Sequence, residues 1–197
     1  MSLRPFGPTA VLAEVDGPAS ALALATWARA AGVPAVEIVP AAETVLFDGV
    51  ADPAGLGARL AGWTAPDVAP GGDLVEVPVD YDGPDLGAVA AAWGTDAAGV
   101  VRQHAAIEYV ASFCGFAPGF AYLAGLPAGL AVPRLESPRP QVPPGSVALA
   151  GPWCGVYPAA SPGGWQLIGR TDAVLWDPDR PQPALLAPGT RVRFVPR

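Results

Sequence analysis

Hydrophobic positions along this chain come in two textures. In the first third they follow strand and helix periods in turn. Residues 10–15 (AVLAEV) predict a short strand and Asp16-Gly17 a turn. Residues 18–31 place Leu22, Leu24, Trp27 and Ala28 at helical spacing, and Gly32 is a natural stop. Residues 36–39 and 44–47 read as two strands rich in β-branched and aromatic side chains. Asp52-Pro53 then pairs an N-cap with a proline at the first helical position, opening a helix that runs to about Leu60. The order β-α-β-β-α is one strand short of a split βαβ sandwich.

Residues 64–73 (TAPDVAPGGD) lack any period and mark a boundary between residues 1–73 and 74–197. Residues 74–79 form a strand that could close the first domain or open the second. Two helical patterns follow: residues 85–93, and a segment capped by Thr95 and ending near His104. From Ile107 onward the texture changes. Short apolar runs at residues 109–113, 119–123, 145–150, 155–157, 165–169, 173–176 and 191–195 alternate with Gly and Pro. This is the pattern of a compact β-barrel or double sheet, and the whole reads as α+β.

Composition narrows the chemistry. The 24 glycines and 25 prolines are interleaved with Val, Leu, Phe and Trp, and hydrophobic residues make up 51% of the chain, so a packed core is expected. All 11 basic residues are Arg. The absence of lysine excludes a Walker A lysine, a pyridoxal-phosphate Schiff base and a biotinylated lysine within this chain. A net charge of −7 without a basic cluster argues against nucleic-acid and anionic-membrane roles. Cys114 and Cys154 form no CxxC pair, and with a single histidine no Cys/His zinc site can be built; free packed thiols are expected. No secretory signal or membrane-spanning run is evident, so a cytoplasmic location is expected.

Three stretches hold the candidate chemistry. In FAPGFAYLAGL, Pro118-Gly119 forces a turn between Phe116 and Phe120, with Tyr122 beyond; the aromatics suit either a pocket rim or a core corner. Residues 133–151 carry Arg134 and Arg139 among stiffening prolines, placed for an anion or simply solvated, and Gly145-Ser146 could offer backbone N–H groups to an anion. Residues 157–171 (YPAASPGGWQLIGRT) combine Tyr157, a Ser161-Pro162-Gly163-Gly164 turn open to close backbone approach, and the polar Gln166 and Arg170. Gln166 suits an amide or lactam edge, or faces outward on a hairpin. His104, the sole histidine, is the one side chain with an unperturbed pKa near neutrality.

Taken together, FxPGFxYLxGLP (Phe116 to Pro127), PRxxxPRxxVPxGSVAxAG (Pro133 to Gly151) and GxYPxxSPGGWxLIGRT (Gly155 to Thr171) resemble the family of the 5-oxoprolinase B subunit. That family is also known as allophanate hydrolase subunit 1 and as the KipI-type inhibitor of a histidine kinase, and is similar to a subdomain of the carboxyltransferase part of urea carboxylase. The resemblance implies a ferredoxin-like α/β sandwich followed by a cyclophilin-like β-barrel. It implies two partners: a homologue of the C subunit (allophanate hydrolase subunit 2) and an A subunit of LamB/YcsF type. Together with this chain they would use ATP with Mg to open 5-oxoproline to glutamate. Opening a lactam requires charge stabilisation at its carbonyl. The expected site has His104, Arg139 and Gln166 as catalytic residues, and Phe116, Pro118, Phe120, Ser146, Tyr157, Ser161 and Arg170 around the substrate. Kinase inhibition and urea or allophanate chemistry share the same motifs and stand as alternatives.

Overall fold

A computed structural model describes residues 1–65 and 72–197. The chain divides into two compact units, Met1–Gly71 and Gly72–Arg197. Most of the expected linker, residues 66–71, lies outside the described residues.

The first unit runs β1 (Ser2–Pro5), β2 (Val11–Glu14), α1 (Gly17–Ala30), β3 (Glu37–Pro40), β4 (Thr44–Asp48) and α2 (Pro53–Leu60). Its four strands form one antiparallel sheet in the order β1-β2-β4-β3. The strand that the sequence pattern lacked is β1, so the edge strand precedes the β-α-β-β-α run. Its residues are exposed or half-buried and include Pro5, which gives no period to read but is tolerated at a sheet edge. Alternating residues of β2 and β4 (Val11, Ala13, Val45, Phe47) pack with Leu24 and Ala28 of α1 and with Leu56 and Leu60 of α2. The helix signals act as expected: Gly32 takes φ +61° beyond α1, and Asp52 accepts the Gly55 N–H at 3.0 Å to cap α2.

The second unit comprises β5 (Leu74–Val79), α3 (Leu86–Ala92), α4 (Ala97–Ala106), β6 (Glu108–Cys114), β7 (Ala121–Ala124), a 3-10 turn (Ala128–Leu130), β8 (Arg139–Val142), β9 (Ser146–Ala150), β10 (Trp153–Val156), β11 (Ser161–Gly163), β12 (Gln166–Arg170) and β13 (Arg191–Pro196). Seven strands form a sheet ordered β12-β9-β10-β7-β6-β13-β5. Its two end strands meet through an Asp80–Arg170 bridge, with reciprocal backbone hydrogen bonds of 2.9 Å, so the sheet is barrel-like and nearly closed. Residues 74–79 therefore belong to this unit, where β5 runs parallel to β13. The helix cap before α4 is Asp96 rather than Thr95: its carboxylate accepts the Gly99 N–H at 2.6 Å. Residues 173–176 form no strand, only a bridge from Trp176 to Ala184.

Alternation along the strands separates two apolar layers. One face of the sheet (Val77, Val79, Leu123, Val147, Leu149, Cys154, Val156, Ile168, Val192, Phe194) makes the main core together with Val100 of α4. The other face carries Ala148, Ala150 and Leu167, packed with Phe120, Tyr157, Trp165 and with Val142 of β8. Here a separate two-stranded ribbon of β8 and β11 runs beside the sheet. Its segments, RPQV and SPG, escaped recognition as strands because proline suppresses the period while an isolated ribbon tolerates it. No helix among the described residues is long and apolar enough to cross a membrane.

Candidate functional site

The sequence-derived candidates separate into three places. Phe116, Phe120 and Tyr157 line a cleft of about 240 Å³ with Tyr122, Arg134, Pro138, Trp165 and the Pro162-Gly163-Gly164 backbone. Arg139, Ser146 and Arg170 line a second cleft of about 580 Å³, together with Asp82, Leu167 and three prolines. His104 lies in neither.

The aromatic cleft is built by the β7, β10 and β12 strand ends and the β8–β11 ribbon. Phe120 is its hub, edge-on to Phe116, Tyr122, Tyr157 and Trp165 at centroid distances of 5.1–5.4 Å. Gly163 has no room for a side chain, because an added Cβ would stand 2.9 Å from the Tyr157 ring carbon that bears the hydroxyl. Phe116 has φ 69°, the only left-handed backbone among the described non-glycine residues, and it is 61% exposed. A bulky residue in that conformation costs on the order of 1–2 kcal/mol. An exposed ring does not recover that cost by its own burial, which marks the position as one kept for what the ring touches. Phe116→Gly is accordingly expected to be more stable than Phe116→Ala by about 1 kcal/mol in urea denaturation, although both remove the ring. Equal stability of the two would show that the backbone there is unstrained.

Arg134 is the one charged side chain lining this cleft, and it forms no ion pair among the described residues. Burial pushes the Tyr157 hydroxyl up, while the Trp165 backbone N–H and the Arg134 guanidinium pull it back. Ser161 and Gln166 flank the lining segment without lining it, and each buries an oxygen that has no partner, Ser161 Oγ and Gln166 Oε1. The Gln166 amide nitrogen donates to the Pro133 carbonyl at 3.2 Å. Pro118 is on the neighbouring turn and lines neither cleft. An aromatic box with one unpaired guanidinium suits a small ligand with a flat apolar body and an anionic or carbonyl end.

Several expectations need correction. His104 is fully buried on the inner face of α4, its ring between Tyr81, Tyr109 and Phe194. Nδ1 lies 2.8 Å from the Tyr81 hydroxyl and Nε2 3.4 Å from Cys154 Sγ, so a neutral ring satisfies both, accepting at one nitrogen and donating at the other. Desolvation lowers its pKa to about 3. A group so enclosed reaches no substrate, and its place at the helix end follows from the i, i+4 spacing with Val100 that turns both inward. Arg139 is not a free anion clamp. Its Nη2 donates to both carboxylate oxygens of Asp85, at 2.7 and 2.8 Å. Arg170 pairs with Asp82 at 3.0 Å. The Gly145 and Ser146 N–H groups are already bonded to the carbonyls of Tyr157 and Pro143, so that turn offers no anion nest. Both cysteines are free thiols.

The residues missed as site candidates are Arg134, left beside Arg139 as one of two equivalent arginines, and Trp165, read as a strand apolar; Tyr122, weighed with Phe116 and Phe120 as a pocket rim, lines the cleft. Only the pairing partner Asp85, 54 positions from Arg139, distinguishes the two arginines. No signal within the motif could have revealed it.

Comparison with known proteins follows the fold. The family described as carboxyltransferase domain, subdomain C and D, matches residues 1–186. A curated relative, the 5-oxoprolinase B subunit of Escherichia coli O157:H7, is 54% identical over 127 residues, covering 63% of this chain and 58% of that one. The crystal structure of TTHA0988 superposes with a TM-score of 0.79 at 35% identity, over 100% of this chain and 40% of that one. The K. lactis urea amidolyase has the same fold, with a TM-score of 0.71 at 17% identity, over 99% of this chain and 15% of that one. The chain thus matches little more than half the length of its curated relative. With the family pattern running through both units, the chain belongs to the carboxyltransferase domain family, subdomains C and D.

Proposed function

We propose that this chain is one component of an ATP-dependent 5-oxoprolinase and that its aromatic cleft receives 5-oxoproline. The lactam ring would lie among Phe116, Phe120, Tyr157 and Trp165, and its carboxylate would pair with Arg134. The observation that carries this reading is the single guanidinium without an ion-pair partner, exposed at the edge of a cleft lined mainly by aromatic rings, where it is free to make a charge-assisted pair with a carboxylate. The 54% identical relative, named as the B subunit of 5-oxoprolinase, supports the choice of substrate. In this reading the homologues of the LamB/YcsF-type A subunit and of the C subunit hold ATP with Mg and supply the acid–base groups, since His104 is sealed in the core.

The test is ATP-dependent glutamate release by the complex reconstituted with both homologues. Arg134→Gln is expected to raise KM for 5-oxoproline about 10- to 100-fold, the loss of a charge-assisted hydrogen bond of roughly 1.5–3 kcal/mol. Arg134→Lys should recover part of it. A wild-type KM in Arg134→Gln would remove the cleft from the reaction. Turnover of urea or allophanate in place of 5-oxoproline would transfer the reading to the urea amidolyase branch, which rests on fold alone at 17% identity.

A further inference from the structure

The two walls of the aromatic cleft are joined by a clamp that lies behind them. Asp85, only 9% exposed at the N-terminal end of α3, accepts Arg139 Nη2 with both oxygens and also the Leu167 N–H, at 2.6 Å. Arg139 Nη1 donates onward to the Trp165 carbonyl at 3.3 Å. Arg139 stands on β8 opposite Gly163 of β11, next to Pro138. One partly buried ion pair therefore grips Trp165 and Leu167 on the barrel side, and Pro138 and Gly163 on the ribbon side. Three of those four residues line the aromatic cleft. Leu167 and Arg139 also face the second cleft, so the pair forms the partition between the two.

We propose that Asp85 and Arg139 are positioning residues that fix the separation of Trp165 from Pro138 on the ribbon wall, and thereby the fit of the ligand in the aromatic cleft. Neither touches the ligand. A partly buried ion pair is a poor source of stability compared with apolar packing, but it selects which groups of two neighbouring elements lie against each other. Here it spans the ribbon and the barrel sheet, which pair with each other through no strand among the described residues. The proposal rests on the cleft being the substrate site proposed above.

The experiment compares Asp85→Asn, Arg139→Lys and the apolar double replacement Asp85→Leu with Arg139→Met. The double replacement removes the clamp without leaving a buried charge unpaired. Folding is verified by far-UV circular dichroism, and each variant is read in two ways. The first is near-UV circular dichroism, which reports the coupling of Trp165 to Phe120 and Tyr122 at 5.4 and 5.7 Å. The second is KM and kcat for 5-oxoproline in the reconstituted complex. A positioning role predicts a changed near-UV spectrum and a KM raised at least about 10-fold, with kcat within about 3-fold of wild type. A folded variant with wild-type spectrum and KM overturns the proposal. If the wild-type complex itself does not turn over 5-oxoproline, the substrate reading fails, while the near-UV arm still decides whether the pair sets the geometry of the cleft.

Discussion

Gly169→Val is expected to lower the melting temperature of the second unit by about 10 °C, a loss of roughly 3 kcal/mol. Gly169 sits on β12 where the barrel-like sheet closes. A Cβ placed there would stand 2.6 Å from the Asp80 carbonyl oxygen, 2.9 Å from a Val79 methyl and 3.2 Å from Tyr81 Cα. Two of these three are backbone atoms and cannot swing aside as a side chain would. The strand must move instead, and it breaks the reciprocal Asp80–Arg170 bonds and the bonds from Gly83 and Asp85 to Ile168 and Leu167. Gly83 faces β12 across the same seam, and an added Cβ there would collide with the Leu167 carbonyl. A control lies nearby: Gly87 in α3 has nothing within 4 Å of an added Cβ. Gly87→Ala should raise stability by about 0.5–1 kcal/mol through helix propensity. Thermal melts of both variants decide the matter. A Gly169→Val melt like wild type would show that the sheet does not depend on this closure.

The second large effect is an acid sensitivity traceable to one residue. His104 stays neutral in the fold down to about pH 3, while the unfolded chain protonates it near the ordinary 6.5. Between those limits the unfolded state binds the extra proton, so stability rises with pH and is lost on acidification. The slope inside that window is about 1.4 kcal/mol per pH unit, and above pH 6.5 the contribution vanishes. Carboxylates contribute in the same direction but lower down. Hydrogen bonding to Arg191 holds Glu108 below its ordinary 4.5, and Arg197 holds Asp172 below its ordinary 3.8, so their stabilisation is present above those values and fades beneath them. The interval from pH 4.5 to 6.5 therefore isolates the histidine. Urea unfolding across it should show a flatter pH profile for His104→Gln than for the wild type. Parallel profiles would mean that His104 is protonated in the folded protein.

His104 also shows where reading the residues alone misleads. A lone histidine near a helix end invites an acid–base role, because its pKa and the helix dipole are local properties. Its burial is not local. It depends on Phe194, Tyr109 and Cys154, from three different strands, converging beneath α4. The arginines repeat the lesson. Arg134 and Arg139 carry the same charge among the same prolines, yet Asp85 neutralises only the second.

The chain by itself determined its helices, most of its strands, the change of texture near Ile107 and the aromatic character of the cleft. These follow from short-range periodicity, capping residues and turn chemistry, which act over a few neighbouring positions. The tertiary structure alone decided the edge strand β1, the β8–β11 ribbon, the seam at Gly169, the split of the candidate residues between two clefts, and which arginine remains free. Each of these depends on partners well beyond the neighbouring turn, and hydrogen bonds, ion pairs and desolvation act between groups close in space, however far apart they lie along the chain.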